Sequence, residues 1–491
     1  MFSEAPSEMA KRKIRIPTET FDNYILRGVE RKYPSLECLT KAEVKELDSR
    51  VRRLMNFESQ ARIPEHVIKY LSHMLSSRGF AEGDVNQEEP NYKKRKYFFK
   101  DPWMQSSMVV VKRGRESIKN GFNLIVCHAD SPCLRIKPKP IRAEWAEDEI
   151  YNFLGVRLTA NLCGGSPIYH WMGSQVRILG NIKTKKKRIP INIPGMIGKT
   201  SVHVDSSDDE TVKLAFPKNE SLEIIPGHAG VDETLRRFEI RSHDDFASSR
   251  LFAVPTNEPY PMDEYTWRLL AAYGHDDKSC VYAAVDALSK VRDPKRTSIV
   301  WITDREEVGD DAPTGAGGPL LDRVLDHLIR TEEFKKRKKL SERDKRRMYS
   351  KSCLLIGDIT AAPYGHDASA MDIENTAKLG FGVYIGGDPK EVSDADFIWE
   401  LRNLAKMGIS REINICHQVI GSFYHPDSDF SGFGDREHSG KEKLYSKIGR
   451  WAWVGLPCAS SHGHNEIICP ADEMWTSRFY RRFFGSDLSL K

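Results

Sequence analysis

Five short segments carry side chains able to hold metal ions. They are Cys127-His128-Ala129-Asp130, Gly274-His275-Asp276-Asp277, Asp304-Arg305-Glu306-Glu307, Gly357-Asp358 and Ser461-His462-Gly463-His464-Asn465-Glu466. Together they offer His128, Asp276, Glu307, Asp358 and one histidine of the last segment, either His462 or His464. Two imidazoles and three carboxylates without a thiolate suit zinc, cobalt or manganese. A carboxylate shared by two metals holds them about 3.5–4 Å apart, the spacing that suits hydrolysis. Such a pair would acidify a bridging water and polarise a scissile carbonyl. Something must also take the water's proton and pass it to the leaving amine. Glu306 lies beside a ligand without being needed as one, which suits a general base. Asp130, two residues after His128, could accept the imidazole's other N–H and fix its tautomer.

Each piece has a blander reading. His-x-Asp pairs are mostly surface or turn residues. A Glu-Glu pair more often starts a solvated helix, and Asp276-Asp277 alone is usually an N-cap. The ordered set is far more specific than any member.

The elements that must position these residues follow from pattern. Phe122 to Cys127, Ser298 to Thr303 and Cys353 to Gly357 read as apolar strands, each leading into one of the segments. Residues from about Thr18 to Gly79 read as helical, as do the stretches after Pro319 and from Ala395 to Lys406. Strands alternating with helices predict an α/β fold, a mixed, largely parallel sheet flanked by helices. In such sheets active residues lie beyond the carboxyl ends of the strands. From about Lys139 to Ser248 short alternating runs punctuated by Gly, Pro, Asn and Asp predict an inserted all-β domain. The expected division is catalytic domain 1–138, β insertion 139–250, catalytic domain 251–491.

Composition narrows the field. The chain has 491 residues and a net charge of +5, too small to imply a polyanionic partner. The basic runs Lys93 to Lys96, Lys183 to Arg188 and Lys335 to Lys339 read as solvated loops and helix ends. No nucleic-acid partner is expected. No apolar run approaches a membrane span, and the N-terminus has no apolar core of a secretory signal. Nine scattered cysteines, with no Cys-x-x-Cys pair, argue against a disulfide framework. A soluble protein of a reducing compartment, the cytoplasm, is expected.

Read as motifs, the segments resemble the aspartyl aminopeptidase family of co-catalytic metallopeptidases, in a bacterial-type variant with divergent active-site loops. The resemblance rests on C-H-A-D-S-P-C-L-R-I-K-P-K-P from Cys127, A-Y-G-H-D-D-K-S-C-V-Y-A-A from Ala272, D-R-E-E-V-G from Asp304, L-I-G-D-I-T-A-A from Leu355 and S-H-G-H-N-E-I-I-C-P-A-D from Ser461. In the last motif the histidine is followed four residues later by Glu and ten later by Asp. Only His462 meets both spacings, with Glu466 and Asp472. The likeness runs in order from about Tyr24 to Phe484.

The resemblance has specific implications. One metal would be held by His128, Asp276 and Asp358, the other by Asp276, Glu307 and His462, with Glu306 as general base. The two ions would be zinc, with cobalt or manganese as substitutes. The β insertion would be a dimerisation domain, and dimers would assemble into a tetrahedral dodecamer that admits short peptides. An acidic N-terminal residue would be preferred, read by a cation for which Lys390 and Arg411 are candidates. His170, in Gly164-Gly165-Ser166-Pro167-Ile168-Tyr169-His170-Trp171, would reach a neighbouring active site as an oxyanion stabiliser, or else Tyr169 takes that place.

The chain also departs from the family. After the Glu pair it reads Gly309-Asp310-Asp311-Ala312-Pro313-Thr314-Gly315, where the family has a serine and an Asn-Thr-Gly turn. Two extra carboxylates there would disfavour an acidic substrate if they pointed inward. The stretch from Ile413 to Cys458 has no clear counterpart. Rival readings are a related two-metal peptidase or acyl-amino-acid hydrolase, and a shell-forming scaffold that has lost catalysis.

Overall fold

Among the described residues, nineteen strands and the helices that cover them are placed by a computed structural model. It describes residues 33–86, 94–141, 156–165, 171–198, 222–227, 231–263, 267–364, 371–387, 392–406, 417–420 and 447–488. In chain order the strands are β1 (Ala81–Glu82), β2 (Lys96–Lys100), β3 (Met108–Lys112), β4 (Phe122–His128), β5 (Cys133–Ile141), β6 (Leu158–Cys163), β7 (Gln175–Lys183), β8 (Arg188–Ile197), β9 (Leu222–Ile225), β10 (Ser249–Pro255), β11 (Tyr260–Pro261), β12 (Leu270–Ala272), β13 (Thr297–Thr303), β14 (Cys353–Ile356), β15 (Ile359–Ala361), β16 (Val383–Gly386), β17 (His417–Ile420), β18 (Arg450–Cys458) and β19 (Glu466–Ile468).

The main sheet runs β1-β2-β3-β13-β4-β14-β18-β16-β17, with β15 on β18. Its centre is parallel: β13 on β4, β4 on β14 and β14 on β18. Strands buried on both faces read as continuous apolar runs, and every residue of β4, β13 and β14 is buried. The register sets Thr303 opposite His128 and Ile356 opposite Val126, so these strands end nearly level. The parallel centre therefore delivers four chain exits to one edge.

One helical layer is built from Lys41–Gln60, Pro64–Ser77, His275–Lys290 and Pro470–Gly485, whose apolar faces share a core with Ile125, Val300 and Leu355. Helix Lys41–Gln60 starts at a capping box, in which Thr40 Oγ1 accepts the Glu43 N–H and Glu43 reaches back to the Thr40 N–H. Leu320–Lys336 covers the opposite face through Leu321, Val324, Leu325 and Leu328. The expected opening of that helix at Pro319 shifts by one position. Pro319 is its N-cap and Leu320 the first helical residue.

Between the halves of this unit, β10-β5-β6-β9-β8-β7 close a barrel that spans Cys133 to Pro255. The alternation that predicts these strands is visible in β8, where Ile189, Ile191 and Ile193 are buried between exposed neighbours. Within the expected insertion, the runs Ser201 to Val204 and Thr211 to Ala215, which the sequence pattern also reads as strands, lie outside the described residues, as does the helical stretch before Tyr33. Among the described residues no helix is long and apolar enough to cross a membrane.

Candidate metal centre

All five metal-capable segments meet at the carboxyl edge of the central strands. His128 ends β4, Glu306 and Glu307 follow β13, Asp358 follows β14 and His462 follows β18. Asp276 enters from the start of helix His275–Lys290, where Asp276 and Asp277 keep non-helical backbone angles and are joined by a cis peptide bond.

Asp276 is central. Its Oδ1 lies 3.1 Å from His128 Nε2, and its Oδ2 lies 3.3 Å from His462 Nε2. Asp358 Oδ1 is 3.5 Å from His128 Nε2, and Glu307 Oε2 is 3.5 Å from His462 Nε2. Glu306 Oε2 stands 3.9 Å from His128 Nε2. Three overlapping trios can converge on a cation: His128 with Asp277 and Asp358, His128 with Glu306 and Glu307, and Asp276 with Glu307 and His462. Asp277 Oδ2 already accepts the His128 backbone N–H at 3.2 Å.

Neighbouring groups fix these side chains. His128 Nδ1 is 3.0 Å from the main-chain oxygen of Asp130 and 3.5 Å from its carboxylate. The carboxylate itself takes the backbone N–H groups of Glu306 and Glu307 at 3.2 and 3.1 Å. Asp130 thus positions the backbone of Glu306 and Glu307 as well as the His128 imidazole. Glu466 accepts the backbone N–H of Asp276 at 2.9 Å and of His462 at 2.7 Å. Ser131 Oγ donates to the Asp276 carbonyl, and Tyr384 OH to that of Asp358.

The site holds more carboxylates than its own cations satisfy. Burial pushes Glu307 well above the ordinary carboxylate range, with Asp276 and Glu306 adding to it against the pull of His462 and His128. Burial does the same to Asp277, reinforced by Asp358. His128 is held well above its ordinary value; burial opposes this, but Glu306, Asp130, Asp276 and Asp358 outweigh it. Asp277 Oδ1 and Glu307 Oε1 are buried without a hydrogen-bond partner. Buried charges are normally paired or coordinate metals, so the donor set fits divalent cations.

Other residues named from sequence fall differently. His464 turns away, its Nδ1 3.0 Å from Ser174 Oγ and its ring edge-on to Trp171. Asp310 is buried inside its own loop, where it takes the Ala316 N–H, and Asp311 is exposed. Neither lines the cleft beside Glu307, which is walled by Arg62, Arg250, Arg305, Asp130, Cys133, Cys163 and Tyr273 among others. His170, Tyr169, Lys390 and Arg411 lie outside the described residues. Sequence reasoning passed over Arg305. Its positive φ of 84° turns the chain between β13 and the Glu pair. Its place inside Asp-Arg-Glu-Glu was the available signal.

The chain matches the family model described as "Aminopeptidase I zinc metalloprotease (M18)" over residues 57–227 and 241–484. It belongs to the M18 aminopeptidases. It is 25% identical over 478 residues to a probable M18 family aminopeptidase 1 of Thermotoga neapolitana, covering 89% of this chain and 95% of that one. A probable M18 family aminopeptidase 1 of Borrelia garinii subsp. bavariensis is 28% identical over 368 residues, covering 69% and 77%. The crystal structure of the Thermotoga maritima M18 aminopeptidase shares the fold with a TM-score of 0.78 at 23% identity, covering 94% of this chain and all of that one. A structure of the mApe1 dodecamer of S. cerevisiae gives a TM-score of 0.66 at 14% identity, covering 90% and 97%. The protein is accordingly a metallopeptidase of a zinc family, with the α/β fold and a separate β barrel.

Proposed function

We propose that this M18 aminopeptidase uses two metal ions to remove N-terminal residues from short peptides, with a preference for aspartate and glutamate. One observation carries the two-metal reading: a single buried carboxylate, Asp276, presents one oxygen to His128 and the other to His462. His128, Asp276 and Asp358 would hold one ion, and Asp276, Glu307 and His462 the other. Bound there, the ions would supply Lewis acidity to the scissile carbonyl and to the attacking water.

The chain's residues do the rest. Glu306 takes the proton of the attacking water and returns it to the leaving amine. Asp130 holds Glu306 by its backbone N–H, so the base cannot drift from the ligand pair. The acidic preference rests on Arg305. Two other arginines of the cleft are engaged: Arg250 with Asp304 at 2.6 Å and Glu65 at 3.2 Å, and Arg62 with Glu258 at 2.8 Å. Arg305 is 3.9 Å from Asp304, and its Nε has no hydrogen-bond partner. His170 would stabilise the oxyanion from a neighbouring protomer, and the barrel would pair protomers into a dodecamer of the kind formed by the yeast relative.

The test is metal content and hydrolysis of unblocked aminoacyl substrates, read together on the parent and Glu306→Gln. About two metals per chain in both, with turnover only in the parent, is expected. Absence of metal and turnover in the parent, even after adding zinc, cobalt or manganese, would overturn the reading.

A further inference from the structure

Two thiols face one another in the substrate cleft. Cys133 opens β5 and Cys163 closes β6, and the antiparallel register makes them direct partners. Directly opposed residues of an antiparallel pair have Cα atoms about 4.5–5.5 Å apart. That lies within the roughly 4.4–6.8 Å a disulfide requires. Both thiols are reduced, Cys133 buried and Cys163 partly exposed, so a reagent in the cleft meets Cys163 first. Both line the same wall as Asp130, Arg305 and Glu307.

The two glycines after Cys163 tie this pair to the metal centre. Gly164 packs so tightly that a Cβ there would sit 3.0 Å from Pro132 Cα. A Cβ on Gly165 would lie 3.4 Å from His462 Nδ1. The backbone joining the second thiol to the His462 ring is therefore two residues long and closely packed.

We propose that Cys133 and Cys163 form an oxidisable dithiol that closes into a cross-strand disulfide by exchange with a low-molecular-weight disulfide, and that closure slows peptide turnover. Cys163, having lost its proton to solvent, attacks one sulfur of the small disulfide as the thiolate; the small S–S bond breaks and its other half leaves as a thiolate that takes up a proton, which leaves a mixed disulfide on Cys163. Cys133 then loses its proton and attacks Cys163 Sγ, expelling the second thiol. Two protein thiols are oxidised and one small disulfide is reduced to two thiols. The order of attack agrees with the local chemistry. The hydrogen bond from Cys133 draws the Cys163 thiol below its ordinary value, and burial against this is partly offset by Arg305 and Arg135. Such exchange runs fastest from the accessible, more ionised thiol. The bond locks the two strand ends and, through them, the Gly164-Gly165 backbone packed against Pro132 and His462.

The experiment uses the metal-loaded protein incubated with oxidised glutathione. Peptide mapping without reduction is expected to show a Cys133–Cys163 linked peptide pair, lost on treatment with dithiothreitol. The kcat/KM of the oxidised parent should fall at least about tenfold and recover with dithiothreitol, while metal content stays constant. In Cys163→Ser, oxidised and reduced samples should turn over alike, which removes modification of Cys38 as a cause. Absence of the linked pair would overturn the proposal, as would a linked pair with unchanged kcat/KM, or equal inhibition of Cys163→Ser. The mapping result is independent of the aminopeptidase reading; only the kinetic readout rests on it.

Discussion

Glu466 accepts the backbone N–H of His462 at 2.7 Å through one carboxylate oxygen while its other oxygen takes the N–H of Asp276 at 2.9 Å. One buried side chain therefore sets the separation of two proposed metal ligands that are far apart in sequence. Outer groups of this kind typically change metal affinity by about 10–100-fold when removed. Glu466→Gln keeps one acceptor but turns an NH2 toward an N–H donor. It should weaken zinc binding by roughly that factor without unfolding the chain. Competition against a chelator, with circular dichroism alongside, checks this. Parent-like affinity would show that Glu466 is only a packing group.

Asp358 depends on a glycine. A Cβ on Gly455 of β18 would stand 1.8 Å from the Asp358 carbonyl oxygen. The contact is with backbone, which cannot rotate aside. Gly455→Ala should push the Asp358 turn away from His128, lower stability by about 1–3 kcal/mol and reduce bound metal. Thermal melting and metal stoichiometry after desalting measure both. Unchanged metal content would mean that the turn moves without carrying the carboxylate.

Arg305 carries the specificity prediction. A hydrogen bond to a charged partner contributes about 1.5–3 kcal/mol, so its loss would cost roughly ten- to hundredfold. Arg305→Gln should reduce kcat/KM for N-terminal aspartate and glutamate by that factor and leave an uncharged residue such as leucine nearly untouched. The ratio between substrates is the measurement. An equal loss on both would assign Arg305 to shaping the turn rather than to reading the side chain.

The legible part of this protein was the part that obeys local rules. β4, β13 and β14 are short apolar runs; β4 ends in His128, the Glu306-Glu307 pair starts three residues after β13 and Asp358 stands two after β14, so strand, strand end and candidate site were readable together. A parallel sheet then forces those ends to one edge. The histidine at the last segment was different. His462 and His464 are chemically equal in sequence, and motif spacing separated them. In the structure the reason is positional: His462 has a φ of 63°, which turns it toward Asp276, while His464 packs on Trp171. Arg305 was marked in sequence only by its place inside Asp-Arg-Glu-Glu; the role proposed for it was not legible, because it depends on Arg250 and Arg62 being engaged by acids distant in sequence. The carbonyl of Asp130 as partner of His128 Nδ1 was illegible too, since any residue has a carbonyl. The opposition of Cys133 and Cys163 required the barrel's register.

Arg50, Asp286 and Glu473 form a buried ionic cluster beneath the sheet. Arg50 meets Asp286 at 2.6 Å and Glu473 at 2.5 Å, and Asp286 also receives Arg78 at 3.0 Å and Lys290 at 2.8 Å. Arg50→Met leaves two buried carboxylates short of their shared cation, a change that typically costs about 3–5 kcal/mol. The pH dependence follows from opposite shifts. Burial would raise Asp286, but Arg50 and Lys290 hold it well below 3.8. Its stabilisation is therefore complete above pH 3.8 and is lost as pH falls toward its folded value. Burial lifts Glu473 above 4.5 despite Arg50, so its contribution runs the other way and fades as pH rises through the folded value. Asp286→Asn isolates the acid limb. The parent should lose stability between about pH 4 and 2, and the variant should lose less over the same interval, both read by denaturant unfolding. Parallel pH profiles would show that Asp286 carries no linked proton, and that its three cations serve packing alone.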